Sequence, residues 1–417
     1  MILSFSACGI GTDPQGQSQN LGNDVQNAGE DIWGAGADRN QKAEEILADY
    51  QKEHPLSEFG FQLLQQTVKE EGTDENVLIS PLSVMLALYM TANGADGSTK
   101  EQMLRALGEN LNDYLKAYQV KLPQGDGYKI HIANSIWFRD IASLTVQEKF
   151  LNTNATYYDA GLYKAPFDES TCKEINEWVE EHTAGMIPSI LDEIPAEAML
   201  YLINALCFDA EWESIYNEHS VFEGQTFTKE DGTKQKTTLM YSEESIYLED
   251  KKATGFVKYY KGRKYAFVAL LPKEGMTIAE YLEYLDEDNF HKLMSKAKTT
   301  TVNAAIPKFE TEYDILLNDV LMQMGMTDAF SGLNADFSKM ATCADGNLYI
   351  SRVIHKTFLA VDEKGTKAGA ATVVEVTKES AVLESYTVRL DRPFVYMLID
   401  CETNQPFFIG TMMDIEK

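Results

Sequence analysis

The chain is short of positive charge. Thirty-six lysines and arginines stand against 65 aspartates and glutamates, a formal net charge of −29. Phosphate backbones and anionic lipid surfaces are bound through a cationic footprint, so nucleic acid and a charge-held membrane surface are excluded as partners. Long apolar runs are also missing, and no stretch reaches the roughly 18 residues that a membrane-spanning helix needs. Cysteine is scarce: Cys8, Cys172, Cys207, Cys343 and Cys401 show neither CxxC nor zinc-type spacing. Their odd number rules out a complete set of bridges within one chain. Cys172, Cys207 and Cys401 lie in patterned segments and are expected to be reduced core thiols. None of the six histidines falls in an HExxH motif, and there is no G-x-S-x-G elbow or P-loop. An enzymatic activity, a metal site and a cofactor are therefore not expected. Internal repeats are absent too.

The chain does contain enough apolar material, 44% of 417 residues, for a large buried core. It opens with an apolar run that passes through small residues to Cys8, the arrangement of a bacterial lipoprotein signal cut before a lipidated cysteine. Residues 1–8 are read as the remnant of such a signal. Residues 9–43, rich in Gly, Asn, Gln and Asp, read as a flexible tether, and residues 44–417 as one folded domain. Ser80-Pro81 marks a helix start, with a hydroxyl cap and proline in the first turn, and the helix that follows is apolar nearly all round. Residues 130–138 alternate as a strand. The stretch 200–212 is apolar on both faces, as a covered central strand requires. A helix begins near Ile175 and stops at Gly185 and Pro188. Residues 221–275 alternate as successive strands.

The stretch that stands apart is Asp362–Ser380. Glu363, Lys364 and Gly365 lead into a run that is small apart from one lysine, Thr366, Lys367, Ala368, Gly369, Ala370, Ala371 and Thr372. With period two, Thr366, Ala368, Ala370, Thr372, Val374 and Val376 share one face. Such a segment can be an exposed loop and can also become a strand.

This stretch resembles the reactive-loop hinge of the serpins, protease inhibitors of the suicide-substrate type. Val388–Leu398, the Ser80–Ser83 block and the Leu200–Trp212 strand resemble the same family. The resemblance implies an α+β serpin fold with three β-sheets, about nine helices and an exposed reactive-centre loop. It implies a target serine protease held as a covalent acyl-enzyme while the cut loop, hinged at Glu363 through Thr372, inserts into the main sheet from Gly365 onward. It also implies a gate made of Ser80, Ser83, Asn204 and His355, with Trp212 where the loop first meets the sheet. Gly365 is expected to supply freedom at the bend.

Counting sixteen residues from Glu363 places the reactive bond between Glu379 and Ser380, and Lys378-Glu379 is one residue earlier. Counting back from Pro393 lands near Val382, so the loop is about three residues longer than the family's common form. Only Lys116 and Lys121 are basic in the helix where some serpins bind sulfated polysaccharide, so no heparin-type cofactor is expected. The resulting expectation is a monomeric, extracellular inhibitor of trypsin-like, elastase-like or subtilisin-like proteases, joined to a bacterial surface through a lipid on Cys8. The alternatives are a non-inhibitory serpin that binds or is cleaved at the cell surface, and a surface lipoprotein with hydrolase activity.

Overall fold

The computed structural model describes residues 1–6, 18–20, 33, 37–50, 53–72, 74–122, 125–366 and 385–416. Among these are ten α-helices and three β-sheets of eight, nine and two strands. The expected α+β architecture is therefore present.

The helix Pro81–Ala92 is the centre of the molecule, and every one of its residues is buried. Its start is the one the sequence marks. The Ser80 hydroxyl accepts from the Ser83 N–H at 3.3 Å, and Pro81 fills the first helical position, where its missing N–H costs nothing. Each fully buried leucine on this helix contributes about 1.5–3 kcal/mol of transfer free energy. On one side the helix meets the eight-stranded sheet, chiefly the strand Ala198–Glu211, and on the other it meets Pro406–Met412 of the nine-stranded sheet.

The eight-stranded sheet has its own alternation. In Phe309–Leu316 the buried positions are Phe309, Thr311, Tyr313 and Ile315, and the residues between them are exposed. Its partner Tyr349–Val361 follows the same period from Val353 onward. The strand Ala198–Glu211 is buried along nearly its whole length because both faces are covered. The outer cover is the helix Glu169–His182, capped by the Asp168 carboxylate at the N–H groups of Ser170 and Thr171. Its Ile175, Trp178 and Val179 pack with Trp137, Tyr201 and Ile203 in a second core of their own.

The structure adds detail to three expectations. The stretch read as tether turns helical before residue 43: Ala37–Asp49 is a helix, and Trp33 is buried against Ala43 and Ala117. The segment read as a signal remnant contains a strand, Ile2–Ser6, inside the main sheet. Cys172 and Cys207 are buried free thiols as expected, whereas Cys401 is only half-buried, with its thiol pushed up to about 12 by burial first and Asp400 second.

Candidate functional site

The strands Ala198–Glu211 and Tyr349–Val361 lie on either side of a slot in the main sheet and do not pair with each other. One end of the slot is taken by Gly365–Thr366, the other by Ile2–Ser6. Each short strand runs antiparallel to both walls.

At the hinge end the chain turns at Asp362, whose carboxylate accepts from the N–H groups of Lys364 (2.8 Å) and Gly365 (3.1 Å). Trp212 holds this turn twice. Its backbone N–H donates to the Lys364 carbonyl at 2.8 Å and its indole N–H to the Asp362 carbonyl at 2.9 Å. The Tyr216 N–H donates to the Glu363 carbonyl at 2.9 Å, and Lys308 pairs with the Glu363 carboxylate at 2.9 Å.

Thr366 then enters the sheet. It is 1% exposed, opposite Ala210 and Val361, and its hydroxyl lies 2.6 Å from that of Tyr260. Tyr260 in turn stacks on Trp212 with ring centroids 4.4 Å apart. Beside them Lys258 is buried, 2.9 Å from Glu244 and over the rings of Trp212 and Tyr216 at 5.2 and 4.4 Å. Burial works against its charge, but Tyr216 and Glu244 outweigh it and leave its pKa above the ordinary lysine value.

Gly365 has a different reason to be glycine from the one expected. It is extended and already within the sheet, where an added Cβ would lie 2.0 Å from the Ala210 carbonyl oxygen. Close backbone approach, not freedom at a bend, excludes a side chain.

The gate lies further along the slot. His355 Nε2 accepts from the Ser80 N–H at 3.0 Å, and the Ser80 hydroxyl donates to the Phe407 carbonyl at 2.9 Å. The Ser83 hydroxyl donates to the Asn204 side-chain oxygen. Asn204 donates to Asn134 at 2.8 Å, and Asn134 to the Tyr158 carbonyl at 2.7 Å. All five of Ser80, Ser83, Asn134, Asn204 and His355 are buried. This chain of bonds ties the central helix to both walls of the slot, so the walls cannot part without exchanging its partners.

Of the expected gate residues, Ser80, Ser83, Asn204 and His355 therefore come together, while Trp212 belongs to the separate hinge cluster. Lys367, Ala368, Gly369, Ala370, Ala371, Thr372, Lys378, Glu379, Ser380 and Cys8 lie outside the described residues. Asn134, Tyr260 and Lys258 were not anticipated. For Asn134 and Lys258 there was a usable signal, a polar residue on a buried position of an apolar strand. Nothing in the sequence singles out Tyr260. Lys116 and Lys121 are each committed to a carboxylate, Asp159 at 2.6 Å and Glu44 at 2.7 Å.

The gate histidine predicts a pH response. Burial holds the His355 imidazole well below the usual histidine range, so Nε2 is a free acceptor for Ser80. In the unfolded chain the group has its ordinary pKa of about 6.5. Below that pH the unfolded state binds a proton that the native state refuses. This contribution to stability is thus fully present above about pH 6.5 and is lost as pH falls, by about 1.4 kcal/mol per unit. Thermal unfolding at about pH 7.5 and 5.5 should show a drop that His355→Gln, which keeps an acceptor but cannot titrate, reduces by about 2 °C. An unchanged pH slope in the variant would remove His355 from this role.

One group of metal-ligand type occurs among the described residues, His54, Glu287 and His291. The two imidazoles stack at 3.7 Å and 11°, and one ligand atom from each of the three residues lies within 4.8 Å of the others. Burial and then His54 pull His291 down to about 4, and burial followed by nearby carboxylates raises Glu287 to about 7.

The main sheet thus has a slot between two strands, with Gly365–Thr366 at one end of it and Ile2–Ser6 at the other. The serpin (serine protease inhibitor) family model matches residues 54–415. An uncharacterized serpin-like protein of Thermococcus kodakarensis is 32% identical over 373 residues, covering 86% of this chain and 84% of the relative. Among solved structures, the native state of the thermophilic serpin tengpin superimposes with a TM-score of 0.85 at 44% identity, covering 96% of this chain and 100% of that one. Human thyroxine-binding globulin with its hormone gives 0.76 at 25% identity, covering 88% and 99%. The chain belongs to the serpin family, whose members are in general protease inhibitors.

Proposed function

We propose that this protein is an irreversible suicide-substrate inhibitor of serine proteases and has no catalytic activity of its own. The observation that carries the reading is Gly365–Thr366, strand-paired to both walls of the slot with Thr366 buried on the core face. The segment after it is led by small residues that can follow without overpacking. A protease serine attacks a peptide bond of the loop and becomes an ester on the acyl side, releasing the new amine end. The freed strand enters the slot from Thr366 onward and carries the acylated protease with it, so water no longer reaches a working active site. The native state is then held by a kinetic barrier.

The same reading places the protein outside the cell, tethered by a lipid on Cys8, with proteases as its partners. Incubation with trypsin and with subtilisin should give a covalent band that survives SDS and heat. Clean cleavage without that band, with both enzymes, would favour the non-inhibitory alternative, for which thyroxine-binding globulin is the structural parallel.

Specificity within the loop follows from one side chain. Lys378 is the sole basic residue between Lys367 and Arg389. Lys378→Ala should therefore abolish complex formation with trypsin while sparing subtilisin, which reads neighbouring Val, Thr or Ala residues. Mass spectrometry of the C-terminal peptide released on complex formation identifies the bond. A peptide beginning at Glu379 assigns Lys378 as the acyl side, one beginning at Ser380 assigns Glu379, and one beginning at Leu383 or beyond would overturn the hinge count.

A further inference from the structure

We infer that, in the unprocessed chain, the lower half of the slot is a docking site for the strand Ile2–Ser6, which acts as a plug that the reactive loop must displace. The inference rests on the inhibitory reading above only for its consequence; the plug itself is a matter of strand register.

Ile2 is paired with Ile203 on one wall and Ile354 on the other, Leu3 with Leu202 and Val353, and Ser4 with Tyr201 and Arg352. Thr366 is paired with Ala210 and Val361. Continuing the hinge register residue by residue down the 198–211 strand puts Val373 opposite Ile203, Val374 opposite Leu202 and Glu375 opposite Tyr201. Doing the same down the 349–361 strand puts Val373 opposite Ile354, Val374 opposite Val353 and Glu375 opposite Arg352. The two walls thus agree independently: Ile2, Leu3 and Ser4 stand where Val373, Val374 and Glu375 would arrive. Ser6, opposite Ala198 and Tyr349, stands where Lys378 would. The chain direction is the same in both cases.

The side chains match as well. Leu3 packs in the main core, on the face that Val374 shares with Thr366, and Ile2 packs in the second core beneath the 169–182 helix. Both are fully buried. The plug also reaches the gate, since the Asn204 N–H donates to the Met1 carbonyl at 2.8 Å. The Ser351 hydroxyl donates to the Ser4 carbonyl at 3.1 Å.

Two segments cannot hold one set of ladder bonds. In the shared register, Thr366 stands opposite Ala210 and Ile2 opposite Ile203 of the same wall. While the plug holds the lower half, an intact loop, held at both ends, advances no further. A cut loop is a longer strand already threaded at Thr366, and it competes for the lower half intramolecularly. The plug therefore holds the walls in register until cleavage and then yields. Processing before Cys8, proposed above, would remove this strand together with the leader, so that the anchored form would have the lower slot free.

The test uses the full chain with Cys8→Ser to simplify its thiols. Directly opposed antiparallel residues have Cα atoms within the span of a disulfide, so Ser4→Cys with Arg352→Cys should crosslink on mild oxidation. The oxidised protein should then be cut by trypsin with loss of the covalent complex and without the rise in Tm that loop cleavage gives after reduction. Leu3→Asp, which expels the plug without a crosslink, should accelerate spontaneous loop insertion, read as faster loss of loop cleavability on storage. Failure to crosslink, or a crosslinked protein that gains Tm on nicking as the reduced one does, would overturn the plug. A gain in Tm confined to the reduced protein, with no covalent complex in either redox state, would support the plug and sink the inhibitory reading instead.

Discussion

Replacing Thr366 with arginine is expected to convert the protein from an inhibitor into a substrate. Thr366 is the first hinge side chain to turn inward, 1% exposed and hydrogen-bonded to Tyr260, which is itself clamped on Trp212. A guanidinium there would displace the Tyr260 contact and be buried next to the already buried Lys258. An unpaired charge in such a place costs several kcal/mol, more than enough to keep the hinge out of the slot. The loop would remain cleavable, because the bond being cut lies well past the hinge. The covalent complex should fall by at least about tenfold, since a loss of only 1.4 kcal/mol in the insertion step already gives that factor. Thr366→Ser, which keeps the hydroxyl and removes only a methyl group, should stay close to wild type. Complexes formed by Thr366→Arg at the wild-type stoichiometry would show that insertion past this residue is not what traps the protease.

Loop cleavage is expected to raise the thermal midpoint by on the order of 10–20 °C. In the intact protein the walls of the slot are paired at the Thr366 end and at the Ile2–Ser6 end, and they do not pair with each other between. A cut loop can run continuously from Thr366 and complete both ladders. It also places small or β-branched side chains, Ala368, Ala370, Thr372, Val374 and Val376, on the core face. The gain is net of the displaced plug, so it should be larger when the plug is removed beforehand. Differential scanning of intact and nicked protein decides the matter, and equal midpoints would leave the loop an ordinary exposed segment.

Much of the scaffold was legible from residue pattern alone. The cap Ser80-Pro81 and the uniformly apolar run after it specify a buried helix, because a helix apolar on every face has no surface to turn to water. The alternation at residues 130–138 and the apolar character of both faces at 200–212 specify two strands, the second covered on both sides. The small residues after Gly365 mark a segment able to become a strand, and the gate's four polar residues were placed by resemblance. These are local properties: periodicity records which face of an element is buried.

What it does not record is the neighbour across the gap, and there only the tertiary structure decides. Ser80 and His355 meet across 275 residues, and Thr366 meets Tyr260 across 106, through contacts that no spacing encodes. Gly365 is glycine because the Ala210 carbonyl approaches it, which is a fact about another strand. Most plainly, Ile-Leu-Ser-Phe-Ser is equally good as the tail of a signal, as core, or as a strand. A strand edge accepts any chain that brings donors, acceptors and an apolar face in register, so the occupant of the slot depends on which segment the fold delivers to it. In this structure that segment is the N-terminal strand, standing where the loop would go.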